Sequence, residues 1–242
     1  MLDYPDRSRD ELRTAVRNAE TLGHPLTLAQ TLCYAALVHI FCREPATATD
    51  YAEQALRICE EQRIGTWQAI SLCVGGWALG ASGESEKGLA QIRAGLDAFG
   101  LGASQHVLLA LQADAQLATD KPEAALASVA AGLKAVEKAG GAPLEAELYR
   151  LRGEALLAGA GTVSEAEAAI EKGIAVARRQ NARSWELRGA MSLARLRRQQ
   201  GRQQEGAALL APILGWFTEG FDTADLQAAR TLLDEIASSL CS

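Results

Sequence analysis

The chain has 242 residues, 48% of them hydrophobic and 22% charged, with a net charge of −6. That is an ordinary globular profile, and its acidity argues against whole-surface attraction to nucleic acid or anionic lipid. No apolar run approaches the ~18 residues of a membrane-spanning helix, and the opening "MLDYPDRSRDEL" lacks the apolar core of a signal peptide, so the expected location is the cytoplasm.

Alanine and leucine dominate, and there are only six prolines and four each of Trp, Tyr and Phe, which favours helix over sheet. In chain order, short breaks interrupt the sequence at "GHP" (23–25), "REP" (43–45), "ASGESE" (81–86), "GLGAS" (100–104), "TDKP" (119–122), "KAGGAP" (138–143), "AGAGTVS" (158–164) and "QNARS" (180–184). Between them the apolar residues recur at spacings of three and four, the helical signature, and no period-two stretch appears.

The helical runs pair up. A small residue recurs in the first helix of each pair at Ala36, Gly76, Ala113, Gly153 and Ala194, a period of 37–41 residues. Another recurs early in each second helix, at Ala52, Gly88, Ala125, Ala166 and Gly206. Four residues further on come Leu56, Ile92, Val129, Ile170 and Leu210; seven further on come Cys59, Gly95, Gly132, Gly173 and Ile213. Small residues let two antiparallel helices approach, and a large aliphatic one turn away fills the adjoining groove. A helical glycine costs about 1 kcal/mol against alanine, so Gly95, Gly132 and Gly173 imply crossings too tight for a methyl group.

Capping-box spacing occurs at Asp120/Glu123, Ser164/Glu167 and Asp222/Asp225, and Ser104 and Ser184 are further N-cap candidates. The reading is therefore all-α: a right-handed superhelical solenoid of about 12 helices in one domain, 1–242. It comprises an N-terminal helix within 1–25, five helix pairs over 26–217 and a capping helix within 218–242.

Sites are few. The five cysteines are odd in number and form no C-x-x-C pair, which fits reduced, mostly buried thiols. His39 and Cys42 share a helical face, but two ligands make no metal centre. No catalytic constellation, metal site or cofactor motif is found, and "GAGTVS" (159–164) lacks the preceding strand of a phosphate loop. Eight arginines lie between Arg178 and Arg202, with Arg188, Arg195 and Arg198 on one face. They suit either solvent or an acidic protein partner, with nucleic acid less favoured. "GWFTEGFDTADL" (215–226) gathers three aromatics and reads as a structural corner: Trp216 and Phe217 end a helix, Gly220 stops it, and Leu226, Ala229, Leu233, Ile236 and Leu240 stripe the closing helix.

The small-large-small pattern resembles the tetratricopeptide repeat, carried best by "LCVGGWALGASGESEKGLAQIRAGLDAF" (72–99) and "LALQADAQLATDKPEAALASVAAGL" (109–133). More narrowly, "REPATATDYAEQAL" (43–56), "EAELYRLRGEALL" (145–157), "SWELRGAMSLARL" (184–196) and "LLAPILGWFTEGFDTADL" (209–226) resemble the C-terminal tetratricopeptide module of bacterial multidomain signalling proteins. These carry a class III adenylate/guanylate cyclase or DNA-binding domain and a signal-transduction ATPase. Neither a cyclase sequence nor a G-x-x-x-x-G-K-[ST] motif is present, so the nucleotide chemistry is not carried over. The opening "LDYPDRSRDEL" resembles the second helix of a family repeat, which implies a piece of a longer protein or a stand-alone descendant, with apolar surface on helix 8–22 and a homodimer as one outcome.

The resemblance further implies that first helices line a concave groove for a protein or peptide ligand. Positions one after and three before the small residues place Trp77, Asp114, Arg150, Glu154 and Arg195 there, apolar at one end and charged at the other, with Arg188 and Arg198 from the basic face. Trp77 is the candidate anchor, or packs against the next repeat. The implied function is a non-enzymatic interaction and scaffolding module in signal transduction, regulating a cyclase or ATPase. The alternative is an effector-sensing domain, as in the related helical-repeat domain of the inducer-sensing regulator of bacterial maltose genes. A closed pocket with ordered polar groups would favour the sensor, and an open groove the peptide partner.

Overall fold

The computed structural model describes residues 3–100 and 105–240, and among them regular structure is exclusively helical. The helices are α1 (Pro5–Leu22), α2 (Pro25–Phe41), α3 (Pro45–Gln62), α4 (Gly65–Ala81), α5 (Ser85–Phe99), α6 (Gln105–Ala118), α7 (Pro122–Lys138), α8 (Glu145–Ala155), α9 (Val163–Arg179), α10 (Arg183–Gln199), α11 (Gln203–Leu214) and α12 (Ala224–Leu240). A π-helical turn, Leu156–Ala160, extends α8. Each helix packs on the next, and the expected pairs α2–α3, α4–α5, α6–α7, α8–α9 and α10–α11 all form. The result is a helical repeat solenoid.

The inner helices α2, α4, α6, α8, α10 and α12 also touch one another in succession. α4, α6, α8 and α10 therefore each meet a pair partner and two inner neighbours, and α2 meets α1, α3 and α4, which leaves little of them in water. That is why α2 and α4 are apolar almost all round, and why α10 is buried from Trp185 to Ala194 without a break. Outer helices such as α3 and α9 bury a single stripe.

The glycine crossings have two origins. A Cβ on Gly88 would come within 2.3 Å of the Gly76 carbonyl oxygen, and one on Gly95 within 2.6 Å of the Ala69 oxygen, so backbone meets backbone in the α4–α5 pair. Gly173 meets the Ala146 oxygen at 2.8 Å in the α8–α9 pair. Gly132 differs: its nearest neighbour is a Leu148 methyl of α8 at 2.9 Å, in the next pair rather than its own.

One turn design recurs. Glu44, Ile64, Glu84, Lys121, Gly141, Ala182 and Arg202 each donate a backbone hydrogen bond to the carbonyl five residues back, the long bond of a Schellman closure. The preceding residue is left-handed or has positive φ, and at Arg43, Arg63, Asp120 and Asn181 it is not glycine.

The caps differ from the expected ones. The box closes between Thr162 and Glu165, two residues before Ser164/Glu167. Asp120 is itself the left-handed residue, and α7 starts at Pro122. Ser184 lies inside α10, and Ser104 falls outside the described residues. Asp222 and Asp225 turn away from the start of α12 to meet Arg9 and Arg188.

The α11–α12 corner also needs correction. α11 ends at Leu214, before Trp216. Phe217 alone of the three aromatics is buried, while Trp216 is 37% and Phe221 49% exposed. Gly220 has φ 71°, and a Cβ there would strike Pro5 Cγ at 2.5 Å. Its neighbour is therefore the opposite end of the chain. The apolar surface expected on helix 8–22 is largely covered, because Leu12, Val16 and Ala19 are buried, although Leu22 remains exposed.

Candidate functional site: a buried polar thread through the inner helices

The inner helices converge on a continuous set of charged contacts. Trp77 of α4 donates its indole N–H to Asp114 Oδ2 of α6 at 2.8 Å, and Arg43 reaches the same oxygen at 3.3 Å. Arg150 of α8 lies 3.9 Å from Asp114 Oδ1 and grips Glu147 with two bonds of 2.8 Å. Glu147 also faces Arg188 of α10 at 3.4 Å, and Arg188 pairs in turn with Asp225 of α12. A further Arg188 N–H reaches back to the carbonyl oxygen of Phe41, the last residue of α2. Glu154 accepts from Arg150 and from Ser192.

Burial of these groups sets their electrostatics. Desolvation alone would raise the Glu147 carboxyl, but Arg150, then Arg188 and Arg43, overcome it and hold it down at about 2. Burial pulls the Arg188 guanidinium down, and Asp225 and Glu147 more than reverse that, leaving it raised. Arg150 is raised by Glu147 against the same desolvation. Buried ion pairs of this kind give little net stability over a well-packed apolar core, yet removing one partner strands the other.

The thread leaves little space. A cavity of about 20 Å³ between Phe41, Trp77, Leu151 and Arg188 holds roughly one water. Beside it, a pocket of about 160 Å³ opens at Arg43, Trp77, Gly80, Ser85, Asp114 and Ala118. A broader recess of about 1090 Å³ lies between α7 and the end of α9, over Tyr149 and Arg152 of α8, where the 139–144 turn widens the gap.

The expected groove residues separate accordingly. Trp77, Arg150 and Arg188 are buried, whereas Asp114 and Glu154 are half-buried and keep part of their side chains in solvent. Trp77 packs against the next repeat, the bland alternative for it. Arg198 is exposed and pairs with Glu235, and Arg195 is exposed at the rim of α10. The rest of the basic cluster is also matched: Arg178 and Arg183 share the buried Glu186, Arg179 meets Glu145, Arg197 meets Glu171, and Arg202 meets Glu167 and Glu205.

His39 contacts Glu44 and stacks on Tyr51, so it does not join Cys42. Cys33, Cys42, Cys59 and Cys73 are buried free thiols, and burial pushes Cys33 and Cys73 up to about 12 and Cys42 to about 11. Among the described residues no group of three His, Cys, Asp or Glu is placed to hold a metal.

Glu147, Asp225 and Trp185 escape a reading based on single helices, because their partners sit on other elements. Glu147 alone leaves a local trace, a carboxylate three residues before Arg150 on a stripe of leucines. The uncovered aromatics are elsewhere: Tyr34 of α2, 50% exposed, stands edge-on to Trp67 of α4 at 5.5 Å between ring centres.

Fold and site together define a class, an all-helical repeat protein whose inner surface is closed by paired charges. Compared with known families and curated proteins, the sequence matches no family model and no curated relative. No helix among the described residues is long and apolar enough to cross a membrane.

Proposed function

We propose that this chain is a non-enzymatic interaction module of the tetratricopeptide type, cytoplasmic and serving bacterial signal transduction beside cyclase or ATPase domains in cis or in trans. The observation that carries the reading is the Tyr34–Trp67 pair, in which a half-exposed tyrosine on α2 stands on a partly buried tryptophan of α4. Tyr and Trp are the side chains that most often dominate a protein interface. The charged contacts of Trp77, Asp114, Arg150, Glu154 and Arg188 then act as its scaffold, fixing the register of the inner helices, and the partner contacts the aromatic face. The test uses a photo-crosslinking residue at Tyr34 in the native host, followed by titration of the captured protein in purified form. Tyr34→Ala and Trp67→Ala are expected to weaken that complex at least about tenfold, while Arg195→Ala leaves it unchanged. Equal affinity for all three variants would reject the aromatic face.

A second reading is supported by the pocket at Arg43, Trp77, Ser85 and Asp114, about 160 Å³. Such a volume suits a small polar effector rather than a peptide. Thermal shifts by polar metabolites that vanish in Ser85→Leu would favour it.

A further inference from the structure

The two ends of the solenoid meet. Asp3 Oδ1 accepts the backbone N–H of Ser184 at 2.8 Å, and Asp6 Oδ2 that of Gly220 at 3.0 Å. In the reverse direction, Glu219 Oε1 accepts the backbone N–H of Arg7 at 3.1 Å. Arg9 bridges Asp222, at 3.1 Å, and Glu44 at the start of α3. Tyr4 packs on Trp216 with ring centres 5.7 Å apart, and Arg183 lies over the same indole. A cavity of about 20 Å³ remains between Pro5, Cys42, Phe217 and Leu226.

We propose that this seam is a polar latch, and that the ring opens there while its helix pairs stay folded. The contrast with the rest of the molecule carries the inference. Within a pair, helices interlock backbone against backbone, as at Gly76 and Gly88. At the seam the apolar contact is Pro5 beside Gly220 and Tyr4 beside Trp216, and the stitches are carboxylates reaching across to main-chain N–H groups, with the Asp6 and Asp222 side chains 54% and 69% exposed. Exposed charges are screened by salt, whereas buried apolar crossings are not. A solenoid is held by nearest-neighbour contacts, so losing an end-to-end contact does not unravel it. Opening uncovers the Phe41–Trp185 contact and the Arg188 guanidinium beneath it.

The experiment needs no partner, so its outcome is separate from that of the interaction reading. Hydrogen exchange and small-angle scattering are measured on the full chain at low salt and at about 1 M NaCl, for wild type, the Asp6→Ala/Arg9→Ala double variant and Asp222→Ala. High salt and either variant are expected to speed exchange of the Arg7, Ser184 and Gly220 amides at least about tenfold and to enlarge the radius of gyration. Far-UV circular dichroism and protection of α4–α9 should not change. The latch is overturned if those three amides stay as protected as α4–α9 throughout, or if they exchange only together with the whole chain.

Discussion

Arg188, in the second turn of α10, donates a hydrogen bond to the carbonyl oxygen of Phe41 at the end of α2. A positive charge thus lies at a helix C-terminus, where the last carbonyls lack partners and the dipole is negative. The same guanidinium holds Glu147 and Asp225, so one side chain ties together α2, α8, α10 and α12. It stacks on Trp185, which meets Phe41 edge-on at 5.3 Å.

Arg188→Ala therefore removes a charged partner from Phe41, Glu147 and Asp225, on three helices. The expected loss is about 3–5 kcal/mol. At roughly 2–4 °C per kcal/mol for a chain of this size, the melting temperature should fall by about 6–20 °C. Arg195→Ala, on the exposed rim, should stay within about 0.5 kcal/mol of wild type. Urea unfolding of both variants checks the pair, and equal stabilities would show that the polar thread is dispensable.

Glu147 gives a pH signature. Its folded pKa is depressed to about 2, below an unfolded value of about 4.3. Its contribution is thus fully present above the unfolded value and is lost as pH falls through that window towards the folded value. Wild type should lose stability steeply between about pH 4.5 and 2. Glu147→Gln should be less stable at neutral pH and show a shallower acid slope, read from urea midpoints across the range.

The glycines separate by what they face. Gly88→Ala drives a methyl onto the Gly76 carbonyl at 2.3 Å, and neither backbone can yield without parting α4 from α5. A loss of about 1–3 kcal/mol is expected. Gly132→Ala meets a leucine methyl at 2.9 Å, the movable end of a side chain and not a backbone atom. With the helix propensity gained, about 1 kcal/mol, it should be near neutral or stabilising. Thermal melts of the two variants test the contrast.

At the α11–α12 corner the structural weight falls on Phe217, which is buried against the last inner helices. Phe217→Ala should cost about 3–5 kcal/mol. Trp216, 37% exposed, packs on Tyr4, Phe217 and Arg183. Trp216→Ala should cost about 1 kcal/mol and act chiefly on the N-terminal contact, measurable as faster exchange of residues 3–9.

The four described cysteines are buried with raised pKa values, so the thiolate needed for reaction is scarce. Thiol reagents at neutral pH should leave Cys33, Cys42, Cys59 and Cys73 unmodified in the native state and label all four in denaturant, as mass mapping would show.

The helices, their pairing and their turns were legible in the sequence because their causes are local. Apolar spacing selects the buried stripe, and small residues such as Gly76 and Gly88 mark the crossings. Breaks such as "REP" and "TDKP" mark the Schellman turns. Gly220 was legible as a left-handed position, but it does not stop the helix, because α11 ends earlier, at Leu214. The groove was not. Trp77, Arg150 and Arg188 occupy inner positions as the spacing predicts, but whether an inner position faces a channel or another helix depends on curvature. Curvature accumulates from small rotations at each pair, and no single pair encodes it. Only the folded chain shows that Phe41 meets Trp185, or that Pro5 meets Gly220. The same holds for the arginines. Their number on α10 is a sequence property, while their pairing with Glu147, Glu186 and Asp225 is set by tertiary neighbours. The sequence by itself determined a solenoid of small-residue crossings. The tertiary structure decided that it closes, because charge pairing and end-to-end contact act between residues that the chain keeps far apart.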